Sequence, residues 1–152
     1  MNMSEPKLGT DRVMQVGIVV RDIERTAAAW SRILGLPLPE IRMTGTVEEA
    51  QTEYAGERTP ARAKLAFFHM GQVDIELIEP VDGPSTWKDQ LDRHGDSLHH
   101  LALVVDGMRE RLDYLAGSGI SLIQRGEYTG GRYAYVDATE QLGTVLELLE
   151  ND

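Results

Sequence analysis

Four residues of this chain have types and placements suited to gripping a divalent cation: Gln15, Glu76, His100 and Glu147. Glu76 stands in Val73-Asp-Ile-Glu-Leu-Ile78 and Glu147 in Thr144-Val-Leu-Glu-Leu-Leu149, each between two large aliphatics. In an extended segment neighbouring side chains face opposite ways, so each glutamate points away from its apolar flanks. A lone carboxylate in the middle of an apolar strand is costly to bury unless it is paired or holds a metal. Here the arrangement occurs twice, at an offset of 71 residues. His100 lies in Ser97-Leu-His-His-Leu-Ala-Leu-Val-Val-Asp106, and Gln15-Val-Gly-Ile-Val-Val-Arg-Asp22 is its echo at an offset of 85 residues. That superposition sets Gln15 on His100 and Gly17 on Ala102, so a polar group recurs at one place on a face of small residues.

One imidazole, two carboxylates and one amide oxygen make a mixed, fairly hard ligand set. It suits Zn, Ni, Co, Mn or Fe(II) better than Cu(I), and the cation would neutralise two carboxylates that otherwise repel. Four protein ligands leave room on an octahedral ion for a substrate carbonyl and a neighbouring oxygen. The ion then works as a Lewis acid that stabilises an enolate or enediolate. Glu76 and Glu147 are the candidates for moving the α-proton, and Glu147 is the chosen base. Each residue also has a plainer reading. A single glutamate on an edge strand can face solvent, His100 can be a hydrogen-bonded core residue, and Gln15 can bond a substrate directly.

Other side chains are candidates for binding substrate. His69 shares a face with Leu65 and Phe67 and either points into the cavity or sits exposed beside a turn. Tyr133 and Tyr135 alternate with Ala134 and either pack in the core or line the pocket. Arg125 and Arg132, near Gly130-Gly131, can hold a carboxylate or phosphate, or simply be solvated. His99 is expected in the core beside Leu101 and Leu103, and Trp30 in the buried stripe of a helix.

The elements that must position these residues read as follows. Residues 1–11 form a polar, disordered leader, and a strand runs over Val13–Val20. Asp22 caps a helix carrying Ile23, Ala27, Trp30 and Leu34, and Gly35, Pro37 and Pro39 end it. A short strand lies near Pro39–Met43. Thr44 to Pro60 is a long loop, partly helical over Val47–Gln51. Lys64–Met70 and Val73–Glu79 form a hairpin that Pro80 ends, and Ser85 caps a short helix with Trp87 and Leu91. The plan then repeats: a strand over Leu98–Val105, a helix capped at Asp106, a strand over Ile120–Gln124, a loop over Arg125–Gly131, and a hairpin of Arg132–Val136 with Thr144–Leu149. Strand, helix and three strands, twice over, imply one domain over residues 12–152 built from repeats at about 13–80 and 98–150. The predicted class is α+β: two βαβββ units forming a curved, barrel-like mixed sheet, helices outside and the four polar residues on the concave side.

Composition narrows the partners. The 152 residues carry a net charge of −10 and no cysteine. Disulfides, thiolate catalysis and Cys-type metal sites are thereby excluded. The acidic balance argues against nucleic acid and anionic membranes as partners, and no apolar run reaches membrane-spanning length. With no secretory signal pattern at the N-terminus, a cytoplasmic protein with a small-molecule substrate is expected.

Val16-Gly-Ile-Val-Val-Arg-Asp22, Ile75-Glu-Leu-Ile-Glu-Pro80, Leu98-His-His-Leu-Ala102 and Gly143-Thr-Val-Leu-Glu-Leu148 resemble the vicinal oxygen chelate superfamily over about residues 13 to 150. That group includes glyoxalase I, methylmalonyl-CoA epimerase, extradiol dioxygenases and drug-resistance proteins. The Ile-Glu-Leu-Ile-Glu-Pro and Leu-His-His runs are most like the epimerases. The resemblance implies metal ligands at Gln15, Glu76, His100 and Glu147, one divalent ion, and a homodimer. It implies proton transfer next to a carbonyl, with a glyoxalase-type lyase or a metal-free drug-binding protein as alternatives. Three departures stand out. Gln15 replaces the epimerases' His, giving a set similar to animal-type glyoxalase I. Leu65 occupies the strand position of the epimerases' second catalytic glutamate. Glu79-Pro80 replaces the glutathione-binding Asn of glyoxalase I.

Overall fold

The structure is a computed structural model describing residues 7–152. The expected leader therefore lies mostly outside the described residues. Of its remainder, Leu8 packs on the core of the second half, and the Lys7 carbonyl accepts a hydrogen bond from Arg111 Nη1 at 3.0 Å.

β1 (Val13–Val19) leads into α1 (Ile23–Leu34), where Asp22 accepts the Arg25 N–H and left-handed Gly35 closes the last turn. β2 (Arg42–Met43), α2 (Val47–Ala50), β3 (Glu53–Tyr54) and β4 (Glu57–Arg58) follow, before the long hairpin of β5 (Arg62–His69) and β6 (Asp74–Val81). α3 (Thr86–His94) is capped by Ser85 and joins the halves. The second half comprises β7 (Ser97–Val104), α4 (Met108–Gly117), β8 (Ser121–Tyr128), β9 (Gly131–Ala138), α5 (Thr139–Leu142) and β10 (Thr144–Asn151).

All ten strands join one curled mixed sheet, in the order β2-β5-β6-β1-β7-β10-β9-β8-β3-β4. This is the α+β architecture expected from the repeat. β1 runs parallel to β6 with Gly17 opposite Glu76, and β7 runs parallel to β10 with Ala102 opposite Glu147. Both sequence offsets, 85 and 71, are thus realised in the pairing registers. β1 and β7 meet antiparallel at the centre.

Alternation along the strands sorts apolar side chains into three cores. Ile23 and Ala27 of α1 pack on Ala66, Phe68 and Leu77 on the convex side of the first half, with Trp30 beside them. Met108 and Leu115 of α4 do the same on Leu103, Val136, Leu146 and Leu148. On the concave side Trp87 of α3 packs with Val19, Ala63, Ile78 and Tyr135. Burying side chains of this size contributes about 1.5–3 kcal/mol each, against the entropy of ordering the chain.

Four sequence expectations need correction. Thr44–Pro60 is not a plain loop: β3 and β4 pair with each other, and β3 pairs with β8 on the opposite half of the sheet. The segment straps across the trough from one sheet edge to the other, giving the outer strand β8 a partner for its backbone groups. Arg125–Gly131 is not a loop either, since β8 runs on to Tyr128. Gly126 is required by packing rather than by a turn, because a Cβ there would lie 2.6 Å from Tyr133 Cε1. Pro80 does not end its strand; β6 reaches Val81, and Pro80 lies beyond Ile78, where pairing with β1 stops. Asp106 is not the cap of α4. Gly107 is the N-cap, and Glu150 accepts the Met108 N–H at 2.8 Å, just as Glu79 accepts the Ile23 N–H at 2.9 Å in the first half.

Candidate metal centre

The curl of the sheet brings β6, β7 and β10 together on the concave side, and with them Glu76, His100 and Glu147, all three buried. His100 Nε2 stands 3.3 Å from Glu76 Oε1 and 3.3 Å from Glu147 Oε1. At these separations only charge attraction links the three atoms, and none makes a well-aligned hydrogen bond. An unpaired buried polar atom costs free energy, and three aimed at one point form a set that lacks its partner. Donor atoms about 2.1 Å from a common ion sit about 3.0 Å apart at a right angle and about 3.4 Å apart at the tetrahedral angle. The observed separations fit a divalent cation.

The electrostatics agree. Burial raises the Glu76 carboxyl above its ordinary range, and the Glu147 charge pushes it further up, against the opposing effect of His100. Burial works against a charged His100, but Glu147 and Glu76 outweigh it and raise the imidazole to about 10. Without a cation the site therefore keeps a proton on His100 to offset the carboxylates.

Local structure explains the placement. The His100 ring lies over Gly17, where a Cβ would fall 2.6 Å from Nε2 and closer still to Cε1 and Nδ1. Only glycine at position 17 leaves room for the imidazole. A register shift between the Gly17–His100 and Ile18–Leu98 pairs places His99 in a β-bulge. His99 is therefore not on the helix face with Leu101 and Leu103, as strict alternation implied. Its ring stands edge-on to Tyr135 with centroids 5.1 Å apart, and its Nδ1 is 2.8 Å from His100 Nδ1. Burial, followed by the adjacent His100 charge, depresses the His99 imidazole to about 3.

The cluster opens into a cavity of about 810 Å³ whose lining comes from both halves of the chain. Gln15 is on its wall with Glu76, Glu147, Tyr133 and Tyr135. Trp87 forms part of the lining, and its indole N–H donates to the Tyr135 hydroxyl at 3.0 Å. The Tyr133 hydroxyl accepts from Gln124 Nε2 at 3.1 Å. Leu65 and Phe67 present an apolar wall, and Thr44, Glu49 and Thr52 of the strap contribute on the other side.

The remaining candidates stand apart from this cavity. His69 lines a neighbouring cleft, and its Nδ1 is 2.9 Å from Asp74 Oδ1. Arg125 is engaged by Glu53 and Glu127, and Arg132 by Glu150, Glu127 and Asp152; neither lines the cavity. Apart from the nearby Glu127, their counter-charges come from other segments of the chain, Glu53 for Arg125 and Glu150 with Asp152 for Arg132, which composition alone does not reveal. Sequence reasoning also missed Asp74 and Tyr128 in the lining. Asp74 follows from parity, two residues before Glu76, whereas Tyr128 lies at the end of β8, in a stretch that reads as a loop in the sequence.

Known proteins share this fold. The chain is 29% identical over 143 residues to "Uncharacterized protein YqjC" of Bacillus subtilis (strain 168), covering 92% of each chain. Among solved structures it is similar to hypothetical protein BH1468 from Bacillus halodurans C-125, with a TM-score of 0.65 at 20% identity, covering 93% of this chain and 94% of that one. It is also similar to methylmalonyl-CoA epimerase from Mycobacterium tuberculosis, with a TM-score of 0.64 at 19% identity, covering 100% and 93%. A methylmalonyl-CoA epimerase in complex with methylmalonyl-CoA and NH4+ gives 0.61 at 16% identity, over 92% and 94%. Residues 14–136 match the model of the Glyoxalase/Bleomycin resistance protein/Dioxygenase superfamily, and the chain belongs to that superfamily.

Proposed function

We propose that this chain is a divalent-metal-dependent enzyme that moves a proton at the carbon next to a carbonyl of a small-molecule substrate. The observation that carries the reading is the buried trio of unpaired atoms, Glu76 Oε1, His100 Nε2 and Glu147 Oε1. Gln15, on the same cavity wall, completes the set that would hold Zn, Ni, Co, Mn or Fe(II). A divalent ion bound there supplies Lewis-acid stabilisation for negative charge on the carbonyl oxygen.

The chain's own residues do the rest. Glu147 takes the α-proton, with Glu76 as its counterpart across the two-fold relation of the halves. The Tyr133 and Tyr135 hydroxyls offer hydrogen bonds that orient substrate oxygens, and Trp87 and the strap exclude water. Leu65 and Phe67 bring no second base to the opposite wall. The likeness to methylmalonyl-CoA epimerases supports an isomerase on a thioester, while the missing base on that wall supports a glyoxalase-type lyase; the shared step is the proton transfer. Because both halves of one chain line the cavity, the reading does not depend on the homodimer that the family resemblance implies.

The test begins with elemental mass spectrometry of untagged protein, with metals supplied one at a time. One divalent ion per chain, lost in Glu76→Ala, is the expected result. Deuterium wash-in on thioester and α-hydroxycarbonyl substrates then follows, with exchange abolished and the fold kept in Glu147→Gln. A wild type that takes up no ion, or full exchange in Glu147→Gln, overturns the proposal.

A further inference from the structure

We infer that His99 is a positioning residue for the cluster, holding the His100 ring so that Nε2 faces the site with its lone pair free. The inference rests on the metal-binding reading above. The bulge that carries His99 turns two consecutive histidines inward, and their Nδ1 atoms meet at 2.8 Å. Two ring nitrogens of the same kind can bond only with one hydrogen between them. If Nε2 of His100 is to face a cation, the hydrogen belongs to His100 Nδ1, and His99 Nδ1 must accept it. Neutral His99 then carries its own hydrogen on Nε2, which stands 3.2 Å from Thr86 Oγ1.

Thr86 is itself anchored. Its backbone N–H donates to Gln124 Oε1 at 2.8 Å, and Gln124 Nε2 donates to the Tyr133 hydroxyl at 3.1 Å. Thr86, His99, His100 and Gln124 are all buried, so water does not compete for these bonds. A chain of hydrogen bonds therefore runs from a cavity tyrosine to the ring that offers a ligand atom. Partners of this kind, behind a ligating histidine, fix its tautomer and its orientation.

The experiment measures Zn²⁺ and Co²⁺ affinity by chelator competition for the wild type, His99→Phe and Thr86→Val. Long-range ¹⁵N–¹H NMR on the zinc-loaded wild type locates the His99 hydrogen. His99→Phe keeps the volume and removes the acceptor, and is expected to weaken zinc binding about 10–100-fold, with Thr86→Val following in the same direction by less. The NMR is expected to place the His99 hydrogen on Nε2, a signature that bulk packing would not produce. Unchanged affinity in a folded His99→Phe, or a hydrogen on His99 Nδ1, overturns the inference. If His99→Phe does not fold, Thr86→Val and the NMR decide. A wild type that binds neither ion overturns the metal reading and this inference with it; a wild type that binds while its variants bind equally well overturns this inference alone.

Discussion

Gly17→Ala is the sharpest perturbation the fold allows, because it adds one methyl group and leaves every candidate ligand unsubstituted. The added Cβ would lie 2.6 Å from His100 Nε2, and nearer to Cε1 and Nδ1, where ordinary contact begins at 3.4 Å. The ring must retreat by roughly 1 Å, several times the ±0.2 Å within which metal–ligand distances hold. The His100 bond to a cation is then lost, and affinity should fall by more than about 100-fold, the upper end of what outer-shell changes cost. Overpacking adds about 1–3 kcal/mol of destabilisation, which for a domain of this size lowers Tm by roughly 2–12 °C. The symmetry-related Ala102 carries its methyl without conflict, since it faces Gln15 across the β1–β7 pairing rather than a ring. The assay combines calorimetric melting with zinc titration, and adds the double variant Gly17→Ala/His100→Ala. If the clash is the cause, the double variant recovers part of the melting loss, with a coupling of about 1–3 kcal/mol. Wild-type zinc affinity in Gly17→Ala would refute the packing argument and the place of His100 in the site.

Two further outcomes follow from the same site. With His100 held up to about 10, uptake of a divalent ion through Nε2 near neutral pH is expected to release the proton that this nitrogen carries. Calorimetry in buffers of different ionisation enthalpy measures that proton; none released would contradict the charge balance. The folded-state value is above the unfolded one, so the metal-free protein keeps this contribution below about pH 6.5 and loses it as pH rises towards 10. Melting curves across that window should show the loss without metal and not with it. Tyr135→Phe removes the acceptor of the buried Trp87 indole N–H and should cost about 1–3 kcal/mol by urea denaturation, with an unchanged midpoint counting against that bond.

How much was legible in the sequence is clearest at particular residues. The two offsets placed Gln15, Glu76, His100 and Glu147 on one face, because parallel pairing preserves register between equivalent strands. His99 was not legible: a bulge adds one residue to a strand, and alternation holds no record of it. Glycines misled where they serve packing. Gly131 makes room for the Glu150 carbonyl oxygen, yet with Gly130 it reads as a loop signal, and Gly126, inside the same stretch, makes room for Tyr133. Arg125 and Arg132 looked available for an anion because Glu53, Glu150 and Asp152 come beside them only in the folded chain.

The strap between β2 and β5 also governs how the protein must assemble in time. Glu53 waits for Arg125, a partner 72 residues further along, before β3 has a neighbour other than β4. A chain emerging from its N-terminus can form the β5–β6 hairpin and dock α1 at once, but it must leave the strap unplaced until β8 appears. Contacts of such long sequence separation are slow to form, since loop closure precedes any reward. Closing the cavity is therefore expected to be a late folding event, and a chain that has finished both halves separately still has no cavity until the strap is laid across them.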